Sequence, residues 1–188
     1  MGRLFIELAC FVLWFKEVIF TKELRLAGVI RESIVDGPGM RMTIFTQGCP
    51  HHCEGCHNPQ THDFNGGYIS HPENLLKAID ADPILQGVTF SGGEPFMQPE
   101  ALAELAVEIH KRGLNVLTYT GFTFEELLES FEKFPQRRKL LEQSDYLVDG
   151  KFVLSLRTLN KKYRGSSNQR IIDVKKSLEC NKAVEVSL

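Results

Sequence analysis

Three cysteines fall within eight residues of this 188-residue sequence, in Gly48-Cys49-Pro50-His51-His52-Cys53-Glu54-Gly55-Cys56-His57-Asn58, spaced C-x3-C-x2-C. Three thiols this close can grip one metal centre, and soft thiolates select zinc, copper(I) or an iron–sulfur cluster. A structural zinc or an ordinary cluster takes four protein ligands. Two readings follow: His51, His52 or His57 completes a zinc site, or a cluster keeps one position open for another group. A second stretch, Gly92-Gly93-Glu94-Pro95, brings two glycines that let a ligand approach the backbone. Their carbonyls can accept hydrogen bonds from an ammonium group, and Glu94 can add charge or fix the turn. A lone Gly-Gly pair is also an ordinary strand-to-helix turn.

Both stretches need elements to position them. Arg25 to Arg31 and Met42 to Phe45 read as strands, the second running into Gly48. Thr61 to His71 reads as a loop and Pro72 to Ile79 as a helix. Gly87 to Phe90 is a third strand that ends at the Gly-Gly turn. Pro99 to Arg112 is a helix with Leu102, Leu105, Ala106 and Ile109 on its buried stripe. Leu114 to Tyr119 is a fourth strand, ending in Thr120-Gly121, and Thr118 and Thr120 offer hydroxyls there. Thr123 and Glu126 form a capping box for the next helix, and Arg137 to Gln143 is a further helical piece. Tyr146 to Val148 is a fifth strand ending in Asp149-Gly150-Lys151; Ile171-Ile172 and Ala183 to Val186 are short strands. Strands alternating with helices argue for parallel βαβ units, whose ligands sit at the carboxyl ends of the strands. The polar loops after four strands then converge on one mouth.

Composition narrows the classes. The length fits one domain and falls short of the ~250 residues of a closed eight-stranded α/β barrel. A net charge of −2 shows no basic surface for nucleic acid. Five cysteines, three of them clustered and Cys10 and Cys180 far apart, point to metal or redox chemistry in a reducing cytoplasm, not a secreted disulfide framework. Leu4 to Phe20 is apolar but contains Glu7, Lys16 and Glu17, and its longest uncharged run, Leu8 to Phe15, is too short for the ~20 residues of a membrane span. Residues 1–22 are read as an apolar extension, helical and packed on the domain or at an interface, and 23–188 as the single domain.

The two motifs together resemble the radical S-adenosylmethionine superfamily: a C-x3-C-x2-C loop after an early strand, then Gly-Gly-Glu-Pro further on. Val35-Asp36-Gly37-Pro38-Gly39-Met40-Arg41 and Cys56-His57-Asn58-Pro59 resemble the signature of glycyl-radical-enzyme activating enzymes. Tyr163-Arg164-Gly165-Ser166-Ser167-Asn168-Gln169-Arg170-Ile171-Ile172-Asp173 is similar to the C-terminal segment of the anaerobic ribonucleoside-triphosphate reductase activating family. The resemblance covers roughly residues 24–174 and implies an α/β fold, an incomplete parallel β/α barrel. It implies a [4Fe–4S] cluster on Cys49, Cys53 and Cys56, with the open iron held by the amino and carboxylate groups of S-adenosylmethionine. Gly92 and Gly93 are the expected contacts to the methionine end, with Gly55, Cys56, His57, Glu94, Thr118, Asp149 and Lys151 as further cofactor contacts. Asp149 and Lys151 rest on a likeness to an Asp-x-Lys element of pyruvate formate-lyase activase.

The implied reaction is reductive cleavage of the cofactor to a 5′-deoxyadenosyl radical, which takes a hydrogen from a glycine Cα of the partner; no catalytic side chain beyond cluster and cofactor is implied. The implied partners are the large subunit of the anaerobic reductase, facing Arg164 to Arg170, and a reduced flavodoxin-type electron donor. Two departures stand out. Many members place an aromatic residue before the third cysteine, where this chain has Gly55, and residues 1–22 have no counterpart. The competing readings are an activase of another glycyl radical enzyme, such as pyruvate formate-lyase, and a zinc-binding interaction module.

Overall fold

The computed structural model describes residues 20–188. Cys10 and the apolar stretch that starts at Leu4 lie outside the described residues, except for Phe20, which packs on the core. Runs rich in β-branched and aromatic residues form strands β1 Leu24–Ser33, β2 Arg41–Thr46, β3 Tyr68–Ser70, β4 Gly87–Gly92, β5 Asn115–Tyr119, β6 Tyr146–Asp149 and β7 Arg170–Asp173. They form one sheet in the order β3-β1-β2-β4-β5-β6-β7. β2, β4, β5 and β6 run parallel. β1 and β3 extend one edge antiparallel, and β7 the other. The order has two free ends, so the sheet is open: the expected incomplete parallel β/α barrel, with antiparallel edges that the sequence pattern did not announce.

Helices α1 Pro72–Asp80, α2 Pro99–Lys111 and the pair α3 Phe124–Ser130 and α4 Pro135–Glu142 make the crossovers between the parallel strands. Proline opens α1, α2 and α4, where its missing N–H costs no hydrogen bond. The capping box of α3 is formed: the Glu126 N–H donates to Thr123 Oγ1 at 3.1 Å and the Thr123 N–H to Glu126 Oε2 at 2.7 Å. A last helix, α5 Val174–Cys180, and the three-residue β3 went unread in the sequence, and Ala183 to Val186 is not a strand but one bridge, Ile172 to Glu185. The Asp173 carboxylate caps α5 by accepting the Lys176 N–H at 3.0 Å, and its stripe is too short to show a period. Among the described residues no helix is long and apolar enough to cross a membrane.

Strand alternation gives the sheet two faces. Met42, Ile44, Val88, Phe90, Val116 and Leu147 point to the helices, where Leu102, Leu105 and Ile109 of α2 bury them. Leu117, Val148 and Ile171 belong to the other face, with Tyr119 against them. On that inner face the loop from Ile34 to Met40 folds back over the amino half of the sheet. Arg41 anchors it, fully buried, with its N–H groups donating to Thr89 Oγ1 (2.8 Å), Pro38 O (3.1 Å), Asn115 Oδ1 (2.7 Å), Val88 O (2.7 Å) and Asn115 O (3.3 Å). Burial pulls its pKa down to about 10, so it stays charged at neutral pH. The Asp36 carboxylate accepts from Ser33 Oγ and Thr43 Oγ1, and its carbonyl from Thr89 Oγ1. The carboxyl half of the inner face is left open as a cavity.

Candidate functional site

The cavity measures about 730 Å³, and Cys49, Cys53 and Cys56 line it together with Gly92 and Gly93. That volume suits a cofactor-sized ligand. The cysteine loop leaves the end of β2 and is stitched to its surroundings through the backbone. The Gly48 N–H donates to Thr61 O at 2.8 Å, the Cys49 N–H to His62 O at 3.2 Å and the Cys56 N–H to Cys53 O at 3.2 Å. Across the loop, the Glu94 N–H donates to Gly48 O at 2.8 Å, which fastens the end of β4 to the end of β2. Gly92 holds φ +94°, a left-handed conformation that favours glycine, and a Cβ on Gly93 would stand 2.5 Å from Gly48 O.

Burial pushes the Cys49 thiol up to about 11 and also raises the Cys53 thiol. Both are therefore neutral at pH 7 until a cationic metal centre supplies the charge that deprotonates them. Among the described residues no three His, Cys, Asp or Glu side chains converge on a point where a single metal ion could sit. A tetrahedral zinc would draw thiols to about 3.8 Å from one another at its ~2.3 Å bond length. A cuboidal cluster that takes one thiolate per iron needs them farther apart. His62 Nε2, also on the cavity wall, is buried without a hydrogen-bond partner among the described residues. Three soft donors on the wall of a roomy cavity, without a fourth among the described residues, fit a [4Fe–4S] cluster with one open iron.

Glu94 sits beside this cavity and not in its lining. Its fully buried carboxylate accepts from the Phe96 N–H (3.0 Å), Thr120 Oγ1 (2.9 Å to the nearer oxygen), the Gly121 N–H (2.8 Å) and His51 Nε2 (2.8 Å). One carboxylate thus ties the cysteine loop, the Gly-Gly turn and the loop after β5. His51 is held from its other side by the edge of Phe122, ring centroids 4.6 Å apart.

The remaining expected contacts divide. His57 lines the cavity and packs on Phe152, 5.0 Å between centroids. Gly55 has φ +70°, a conformation that strains any side chain, and a Cβ there would also have to push aside Leu154 Cδ1 at 2.8 Å, so the backbone disfavours an aromatic at this position. Thr118 is buried on the helix side of β5, hydrogen-bonded to Ser144 Oγ at 2.7 Å; its neighbour Tyr119 is the one that lines the cavity. Asp149 is buried on the Phe124 N–H (2.8 Å) and on Arg170, which donates from Nε (3.0 Å) and Nη2. Lys151 is exposed, and its charge lies close enough to Cys53 to oppose part of that thiol's shift. Asp36, Tyr119, His62 and Phe152 line the cavity without having been singled out as cofactor contacts in the sequence. Strand alternation points to Tyr119 once the register is known; Asp36 lies in the Val35–Arg41 signature, and nothing local points to His62 or Phe152.

An open sheet with a parallel centre, and three thiols and a Gly-Gly turn at its strand ends, defines the iron–sulfur radical S-adenosylmethionine class, and residues 35–172 match the family model described as a 4Fe-4S single cluster domain. The anaerobic ribonucleoside-triphosphate reductase-activating protein of Salmonella typhimurium (strain LT2) is 36% identical over 145 residues, 72% of this chain and 90% of its own length. The protein of the same name from Enterobacteria phage T4 is 31% identical over 144 residues, 73% of this chain and 86% of its own. The chain belongs to the family of these activating proteins. A pyruvate formate-lyase-activating enzyme from Clostridium pasteurianum is 37% identical over 114 residues, 56% of this chain and 48% of its own. Among solved structures, QueE from Escherichia coli gives a TM-score of 0.43 at 20% identity, over 54% of this chain and 53% of its own.

Proposed function

We propose that the protein is the activase of an anaerobic ribonucleoside-triphosphate reductase, installing a radical on a backbone glycine of that enzyme. The observation that carries this is one cavity at the strand ends lined by three cysteines and the Gly92-Gly93 turn, in a chain of this family. When bound, the cluster supplies one electron and S-adenosylmethionine the carbon-centred radical that removes the glycine hydrogen. The chain's own part is to bind, orient and exclude water. Cys49, Cys53 and Cys56 hold the cluster. The carbonyls of Gly92 and Gly93 accept from the cofactor's ammonium group. Glu94 holds the three loops in register through His51, Thr120 and Gly121. His57 and Phe152 give an aromatic corner on which the adenine can rest. The unclosed sheet leaves the mouth free for a peptide segment of the reductase large subunit. The electron donor in this reading is a reduced flavodoxin-type protein and the setting an anaerobic cytoplasm.

The test is an anaerobic assay of reconstituted protein with dithionite and S-adenosylmethionine. 5′-Deoxyadenosine is expected, and with the reductase present, a glycine-centred signal by electron paramagnetic resonance. Zinc without iron or sulfide in anaerobically purified protein refutes the proposal. The likeness to a pyruvate formate-lyase-activating enzyme favours a second reading. The same assay with pyruvate formate-lyase in place of the reductase separates the two.

A further inference from the structure

A basic segment walls one side of the cavity. Between Asp149 and Asp173 the chain carries Lys151, Arg157, Lys161, Lys162, Arg164 and Arg170 and no acidic residue, although the whole chain has a net charge of −2. Arg170 is paired with Asp149 and Glu125, and Lys161 Nζ donates to Ser167 O at 3.2 Å. Arg164 lines the cavity, and its Nε is buried without an acceptor among the described residues. The backbone on both sides of it is fixed. Tyr163 is held left-handed at φ +58°, with its carbonyl accepting from Tyr119 Oη at 2.9 Å. Gln169 Oε1 accepts both the Gly165 N–H (2.9 Å) and the Ser166 N–H (3.2 Å). A bulky residue in a left-handed conformation is strained, and such strain clusters at ligand sites. A buried guanidinium N–H with no acceptor calls for one from outside the chain. Arg41 shows the contrast, with donors of its whole guanidinium matched to acceptors inside the protein.

The ligand assigned to this cavity ends in an ammonium and a carboxylate. The Gly92 and Gly93 carbonyls suit the ammonium and repel the carboxylate. We propose, resting on the function above, that Arg164 is the residue that binds the carboxylate of S-adenosylmethionine, setting the methionine end against the cluster. A planar fork of N–H donors matches a carboxylate in two-pronged fashion, which an ammonium of lysine does not.

The test compares S-adenosylmethionine with its decarboxylated analogue, which keeps the sulfonium, the amine and the adenosine. Anaerobic equilibrium dialysis of cluster-loaded protein gives both dissociation constants, with iron content and far-UV circular dichroism as controls. Wild-type protein is expected to prefer the carboxylated ligand. Arg164→Gln is expected to weaken that ligand roughly tenfold to hundredfold and to leave the analogue within about twofold, since a charged hydrogen-bonded contact is lost from one ligand only. Equal weakening of both ligands, or no change in either, overturns the assignment. So does an Arg164→Gln protein that keeps the wild-type preference and loses affinity for the reductase, because the guanidinium then serves the partner. If Arg164→Gln does not hold the cluster, Arg164→Lys decides: loss of the fork is expected to cut the preference severalfold, and an unchanged preference overturns the proposal. Cluster-loaded wild-type protein that binds neither ligand refutes the function itself, an outcome separable from failure of Arg164 alone.

Discussion

Replacing Glu94 by glutamine keeps the side chain's shape and turns one of its oxygens into a donor. Both oxygens face donors already: Oε1 meets the Phe96 N–H at 3.0 Å, and Oε2 meets the Gly121 N–H and His51 Nε2 at 2.8 Å each. Whichever way the amide sits, at least one buried backbone N–H loses its acceptor, at about 1–3 kcal/mol. The remaining bonds lose their charge assistance, which brings the expected cost to about 2–4 kcal/mol. Glu94→Ala strips all the donors at once and belongs with broken buried pairs at roughly 3–5 kcal/mol. At about 2–4 °C per kcal/mol for a chain of this length, Glu94→Gln lowers the melting temperature by roughly 4–16 °C. Thermal unfolding of the cluster-free protein, followed by far-UV circular dichroism, measures this without any cofactor present. A melting temperature within about 2 °C of wild type, together with a tenfold or greater loss of S-adenosylmethionine affinity in the loaded protein, refutes the argument. It would make Glu94 a cofactor contact and not the tie between loops.

Cys49→Ala, Cys53→Ala and Cys56→Ala are each expected to abolish cluster incorporation and the glycine radical, while Cys180→Ala, an exposed thiol on α5, leaves both intact; iron and sulfide analysis with paramagnetic resonance checks this. Gly93→Ala puts a Cβ against Gly48 O, so the β2 and β4 loop ends must part, and a loss of roughly 1–3 kcal/mol is expected in urea unfolding of the cluster-free protein. Arg170→Gln leaves the buried Asp149 carboxylate without its cation, and about 3–5 kcal/mol of destabilisation is expected at pH 7. The same variant tests acid behaviour. Arg170 holds the Glu125 carboxyl below its usual range, so its stabilisation is present above about pH 4.5 and is lost as pH falls through the lower folded value. Urea midpoints between pH 3 and 6 are expected to show a shallower acid loss in Arg170→Gln than in wild type, and an identical slope would contradict the pairing.

The cysteine loop and the Gly-Gly turn were legible because each carries its chemistry in a few contiguous residues. The strands and crossover helices were legible for a similar reason, since period and caps are local. Thr118 and Tyr119 show where this stops. β5 is covered on both faces, so it reads as a continuous apolar run, and nothing local says which of two neighbours looks into the cavity. Asp149 shows the same limit over a longer range: its partner Arg170 lies 21 residues away on β7, and an acidic residue after a strand reads equally well as a ligand or as half of a buried pair. Glu94 was read as touching the cofactor because its motif does; its donors come from loops 26 to 43 residues distant, plus one in its own turn. Gly55 abuts the tip of Leu154, a residue no spacing rule would have connected to the cysteine loop.

The folded-back loop from Ile34 to Met40, bolted down by Arg41, also sets the traffic of the site. With the amino half of the inner face filled by that loop, the cavity is confined to the strand ends, and Ile34, Val35 and Asp36 of the same loop form part of its wall. The same loop thus fills one half of the face and walls the ligand space in the other, so its anchor Arg41 shapes the site without lining it.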